Sequence, residues 1–161
     1  MVLAAVVMAA SCSTKAVIDG TVASAPSSEV IVKLLDINRY EVLDTVATDA
    51  AGKFSYKVEV VAGQPEFVYV FYKDTKIASL ILEAGDKVQV HADTLGNYAV
   101  SGSDESEKLA QVERDYASAL SRMMKAATST EMAQEYVSYY RACVKYIMEN
   151  SRSLSSVPVL Y

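Results

Sequence analysis

Between residues 16 and 102, apolar and polar positions alternate in short runs separated by turn residues, the pattern of half-buried strands. The clearest run is Lys53 to Val60, which puts Phe54, Tyr56, Val58 and Val60 on one face and Lys53, Ser55, Lys57 and Glu59 on the other. Val88, Val90 and Ala92 alternate with Lys87, Gln89 and His91 in the same way. Val17–Val22, Glu29–Leu35, Val42–Thr48, Glu66–Tyr72, Lys76–Glu83 and Tyr98–Ser101 complete a set of about eight short strands. The stretches Asp49 to Gly52 and Glu83 to Asp86 each set a glycine, free to take positive φ, between two strands, so antiparallel neighbours are expected. Phe67–Tyr72 and Ile77–Leu82 are apolar at nearly every position and are expected at the centre of a sheet.

At Ser103 the period changes. Leu109, Val112, Tyr116, Leu120 and Met123 fall on one stripe of a helix that opens on the acidic turn Asp104 to Glu107. Thr128 to Glu131 reads as a capping box opening a second helix, with Met132, Tyr136, Tyr139 or Tyr140, Cys143 and Ile147 on its stripe. The expected fold class is therefore β-rich α+β: an antiparallel β-sandwich or barrel over 16–102, followed by a C-terminal helical hairpin within 103–161. Val157 to Tyr161 ends the sequence on an apolar note, and the expectation is that 103–161 connects to a further domain.

The N-terminus follows a different rule. Met1 to Ala10 is wholly apolar and Ser11 to Thr14 is small and polar, the layout of a signal-peptide core meeting a processing site. Ten apolar residues fall well short of the roughly 20 that span a bilayer as a helix. Ala9-Ala10-Ser11-Cys12 resembles a bacterial lipobox, which makes residues 1–12 a signal peptide ending in a lipid-anchoring Cys12. The competing reading is an ordinary cleaved secretory signal with an incidental cysteine. Lipoboxes usually carry Leu where Ala9 stands, and no basic residue precedes the apolar run. The expected setting is the cell envelope, on the periplasmic side of the inner or outer membrane, with the membrane as a partner through the anchor.

With 161 residues, 52% of them hydrophobic, the chain can bury one good core. A net charge of −5 and the lack of any Lys/Arg cluster argue against a nucleic-acid partner. Only Cys12 and Cys143 are present, so acylation of the first leaves no disulfide to form within the chain. His91 sits on the polar face of its strand with no second histidine or cysteine in range, and reads as a surface residue rather than a metal ligand. Cys143 lies on the apolar stripe of the second helix and reads as buried packing. Asp44, Asp49, Glu83 and Asp86 stand at strand ends or turns, where carboxylates serve local needs. The eleven tyrosines mostly fall on predicted core stripes. No glycine-rich phosphate loop, Cys-x-x-Cys or nucleophile elbow occurs, so neither a catalytic set nor a cofactor is expected from this sequence.

Several segments together resemble a known family: Val17 to Gly20, Leu43 to Val46 with Thr48 to Phe54, Leu82 to Asp86 with Val88 and Val90, and Val100 to Ser103. They look like the N-terminal domain of unknown function found in envelope lipoproteins of gut-type Gram-negative bacteria, commonly ahead of a TlpA/ResA-like domain of the thioredoxin family. The resemblance covers roughly residues 16–124. It implies a non-catalytic accessory or recognition module associated with thiol-disulfide exchange, whose partners are protein clients or a thioredoxin-like domain. The Trp-Cys-x-x-Cys motif that does the redox work in such proteins has no counterpart here, so no catalytic residue carries over. The alternative reading is a stand-alone glycan- or peptide-binding surface lipoprotein, which calls for tyrosines such as Tyr69, Tyr72 and Tyr98 clustered on one exposed sheet face.

Overall fold

The computed structural model describes residues 15–36 and 38–160, so the signal segment and Cys12 lie outside the described residues. Eight strands come first: β1 (Lys15–Ala23), β2 (Glu29–Asp36), β3 (Arg39–Ala47), β4 (Lys53–Glu59), β5 (Glu66–Tyr72), β6 (Thr75–Leu82), β7 (Lys87–Asp93) and β8 (Tyr98–Ser101). Helices α1 (Asp104–Lys125) and α2 (Ser129–Glu149) follow, and two 3-10 turns, Leu154–Ser156 and Pro158–Leu160, close the chain. The strands form two four-stranded sheets, ordered β4-β1-β7-β8 and β3-β2-β5-β6. This is the sandwich with a C-terminal helical hairpin that the alternation and the later change of period predict.

Each strand's alternation becomes an inner and an outer face. Ile18, Val22, Val58, Val88 and Val90 of the first sheet meet Val30, Val32, Val68, Val70 and Leu80 of the second in one core. Fully burying side chains of this kind stabilises by about 1.5–3 kcal/mol each before chain entropy is set against it. One inner position is glycine for a packing reason: a Cβ on Gly20 would stand 2.1 Å from the ring of Phe54, its cross-strand partner on β4. The aromatic ring fills the space that a side chain on β1 would need.

Two pairings differ from the simplest expectation. Strands β1 and β7 run parallel, with Ile18 opposite Val88 and Gly20 opposite Val90, because the chain leaves for the other sheet before returning beside β1. Strand β6, apolar at nearly every position from Ile77 to Leu82 and expected at a sheet centre, is instead an edge strand. Its residues from Ile77 to Leu82 are nevertheless buried, because α1 lies along it. The Ser106 hydroxyl donates to the Ile81 carbonyl at 2.7 Å and accepts from the Ile81 N–H at 3.0 Å, while the Ser103 hydroxyl donates to the same carbonyl at 3.2 Å. Side chains from the first turn of a helix thus take the place of a neighbouring strand.

Helix α1 starts at Ser103 as N-cap, and its first turn carries Asp104, Glu105 and Glu107, which complement the helix dipole. Leu109, Ala110 and Ala119 are its buried residues besides Ser106. Helix α2 is capped by Thr128, whose hydroxyl accepts from the Glu131 N–H at 3.1 Å, and the Glu131 carboxylate reaches back to the Ala127 N–H at 2.8 Å. The Thr128–Glu131 pair therefore works as the capping motif the sequence suggests, one residue displaced on the return bond. Among the described residues, α2 buries none of its side chains completely.

Candidate functional site

The hairpin carries the surface that departs most from an ordinary domain exterior. Met132, Tyr136, Val137, Tyr140, Val144 and Met148 on α2 and Tyr116, Leu120 and Met124 on α1 are large apolar side chains that stay exposed. Between the helices and the last 3-10 turn runs a groove of about 830 Å³, whose walls include Tyr116, Tyr136, Tyr140, Val144, Met148 and Leu160. The lining is mostly apolar apart from Glu113, and exposed apolar patches of this kind are candidate interaction sites. It also corrects the expectation that most tyrosines fill the core: Tyr116, Tyr136 and Tyr140 are 54–60% exposed.

Cys143 belongs to this groove as well. It is half-buried rather than buried, because α1 and the last 3-10 turn cover only part of its stripe. Burial pushes the phenol of neighbouring Tyr139 up, and a hydrogen bond with Cys143 together with the nearby Tyr116 and Asp115 adds to the shift. These neighbours supply no positive charge of the kind that activates a thiol.

Two partly buried carboxylates of α1 fix the helical region: Glu113 ties it to the sandwich and Glu105 ties it to the C-terminal turns. Glu113, on α1, takes the Lys76 ammonium at 2.7 Å, the Ser79 hydroxyl at 2.7 Å and the Tyr98 hydroxyl at 2.9 Å. One carboxylate therefore ties β6 of one sheet to β8 of the other. Burial, then the charge of Glu113, hold the Tyr98 phenol well above its usual range. At the far end, Glu105 accepts from the Ser153 hydroxyl at 2.7 Å and the Ser155 N–H at 3.3 Å, and Tyr146 meets the Ser155 hydroxyl at 2.7 Å. Partial burial alone would raise Glu105, but the bonds from Ser153 and Ser155 and the ammonium of Lys108 outweigh it and hold the carboxyl below its ordinary value.

The remaining singled-out residues lie elsewhere and serve local ends. His91 is exposed on β7, opposite Thr21, along a shallow polar groove that also holds Asp19, Ser55 and Gln89. Asp49 accepts from the N–H groups of Lys53 and Ala51, which keep its carboxyl below the usual range, and Asp86 accepts from the Glu83 N–H. Asp44 accepts from the Thr45 N–H. Among the described residues no three His, Cys, Asp or Glu side chains gather as a metal site would require.

Tyr69, Tyr72 and Tyr98 do not form one exposed face. Tyr69 is buried, and burial, with Tyr40 and Glu113 nearby, pushes its phenol up to about 12. Tyr98 is half-buried on the other sheet and turned to Glu113. The aromatic group that does form on the sheet surface is Tyr40 edge-on to Tyr69 at 5.2 Å and to Phe71 at 5.4 Å, with the Lys33 ammonium 4.0 Å above Phe71.

Glu113 and the Glu105–Ser153–Ser155 clamp were not singled out by the sequence. Their partners are 15 to 50 residues away, and one-dimensional periodicity holds no sign of such pairings. A model for DUF4369, a domain of unknown function, matches residues 16–109, which spans the sandwich and the first turns of α1. Among curated proteins none matches the chain.

Proposed function

Because the chain belongs to the DUF4369 family, we propose that it is a non-catalytic recognition module of an envelope lipoprotein, docking a thioredoxin-like domain on the apolar face of its helical hairpin. The observation that carries this reading is the groove between α1 and α2, with Tyr116, Tyr136, Tyr140, Val144 and Met148 left open to solvent on a body whose sandwich core is fully packed. The lipobox-like Cys12 supports the envelope setting, and the resemblance of the turn segments supports the link to thiol-disulfide exchange. In this role Cys12 is the lipid anchor, the sandwich is a spacer and support, and the redox chemistry belongs to the partner.

The coding region on either side of this sequence gives the first test. A thioredoxin-like reading frame, continuous or adjacent, is expected, and a neighbourhood holding none overturns the redox link. With that domain in hand, backbone hydrogen exchange over 112–148 is expected to slow on mixing while exchange in β4 and β7 stays as it was. Protection in the sheets and none in the helices would move the docking surface away from the hairpin.

A second reading is favoured by one observation, the half-exposed Tyr40 ring seated on Tyr69 and Phe71 beside Lys33. A stand-alone lipoprotein that binds a glycan or peptide would use this aromatic ledge. Quenching of tyrosine fluorescence by oligosaccharides, lost in Tyr40→Ala, is its test.

A further inference from the structure

Rows of side chains four residues apart form ridges on a helix, and such ridges pack into the grooves of another helix. Helix α2 presents one of these rows, Met132, Tyr136, Tyr140, Val144 and Met148, each 41–75% exposed. Tyr116, Tyr136, Tyr140, Val144, Met148 and Leu160 all line one groove between the helices, and they average somewhat over half exposed. At about 200 Å² for a fully exposed large side chain, these six alone leave roughly 700 Å² of largely apolar surface in one place. That exceeds the roughly 300–600 Å² of the largest patch on a typical monomer. It also approaches the roughly 800 Å² that each partner contributes to a stable interface.

The charges around the groove narrow the choice of occupant. The protein is acidic overall, so a second copy is repelled over most of the surface. Within the groove the one carboxylate is Glu113, already engaged by Lys76, Ser79 and Tyr98. Around the hairpin Arg122 is paired with Glu135 at 2.8 Å and Lys145 stands 3.9 Å from Glu149. Among the described residues the groove lining is thus apolar and tyrosine-rich apart from Glu113, whose charge is met by Lys76, so like-charge repulsion between two such linings is small.

We infer that the hairpin groove is self-complementary, and that two copies of this chain pair through it into a four-helix layer that covers the surface between α1 and α2. The inference deepens the docking reading and rests on it for its regulatory meaning: a face assigned to a partner is occupied by a second copy until the partner displaces it. Cys143, lying in the groove, is a native reporter of that covering.

The test uses the chain from residue 12 onward with Cys12→Ser, so that lipid does not drive association. Sedimentation velocity over a range of concentrations is expected to show a monomer–dimer equilibrium. Alkylation of Cys143 is expected to slow about fivefold as the dimer fills. Tyr136→Glu and Val144→Glu are each expected to raise the dimer dissociation constant at least tenfold (tenfold being about 1.4 kcal/mol), with circular dichroism unchanged. Gln134→Glu, exposed and outside the groove lining, is expected to leave it unchanged. A chain that stays monomeric to about 100 μM, or a dimer that both groove variants leave intact, overturns the self-pairing. Failure of the docking reading looks different: the two groove variants would then leave binding of the thioredoxin-like domain unaltered, whatever the oligomeric state.

Discussion

The sandwich and the hairpin both carry many large apolar side chains and use them in opposite ways. In the sandwich, Ile18, Val30, Val32, Val68, Val70 and Leu80 are at most 1% exposed, so apolar area is spent on holding the body together. On α2, Met132, Tyr136, Tyr140 and Met148 are 50–75% exposed, and that area adds little to the fold. The difference teaches where to look for function. A packed core explains its own apolar residues, whereas an uncovered apolar row is a candidate contact surface.

Substitutions in the two regions make the contrast measurable. Leu80→Ala leaves a cavity in the sandwich and is expected to cost about 3 kcal/mol in urea unfolding, whereas Val144→Ala on the groove is expected to change stability by no more than about 0.5 kcal/mol. Comparable losses for the two would show that the hairpin face is packed after all.

Gly20→Ala comes next. The added methyl meets Phe54, and overpacking of this kind costs about 2 kcal/mol. Gly20→Ala combined with Phe54→Leu is expected to recover much of it, so an unrelieved double variant would trace the loss to backbone conformation instead.

Ser106→Ala tests the seam between the regions. Removing the hydroxyl leaves the Ile81 N–H without its partner and is expected to cost about 1–2 kcal/mol. Faster amide exchange at Ile81 than at Val68 would locate the damage, and uniform acceleration across β5 and β6 would argue against a local edge effect.

The smallest effect is pH-dependent. Because the folded state holds Glu105 below its ordinary value, its contribution is present above the unfolded carboxyl pKa and is lost as pH falls through the depressed folded value. The 153–160 turns are then expected to loosen from α1 in acid before the sandwich unfolds, seen as a shift of the Tyr146 ring resonances. Glu105→Gln should abolish that early step, and an early step surviving in the variant would assign it elsewhere.

Much of the fold was legible from residue order alone. The alternation at Lys53–Val60 and the turn glycines at 52 and 85 carry their own geometry: Asp49 closes its turn locally and Gly52 takes φ of 75°. What local pattern does not encode is which strands pair at long range. Parallel β1 and β7 lie some 70 residues apart in the sequence, and no local rule joins them. The run Ile77–Leu82 of β6, apolar at all but Ser79, implies burial on both faces but not whether a strand or a helix provides the cover. For the same reason Cys143 was expected in a core: an apolar stripe shows that a face wants covering, not that the chain covers it. The apolar stripe of the sequence thus corresponds to an open groove and not to an interior.

The two serine hydroxyls on Ile81 bear on modular reuse of this body. A piece ended at Gly102 would keep all eight strands yet leave an N–H and a C=O of β6 open at the rim, an invitation to stray strands. The smallest portable unit therefore runs into the first turns of α1, past Ser106. The family match, ending at residue 109, stops just beyond that seal. Any chain that grafts a different continuation onto this body inherits the need for a donor and an acceptor at that one place.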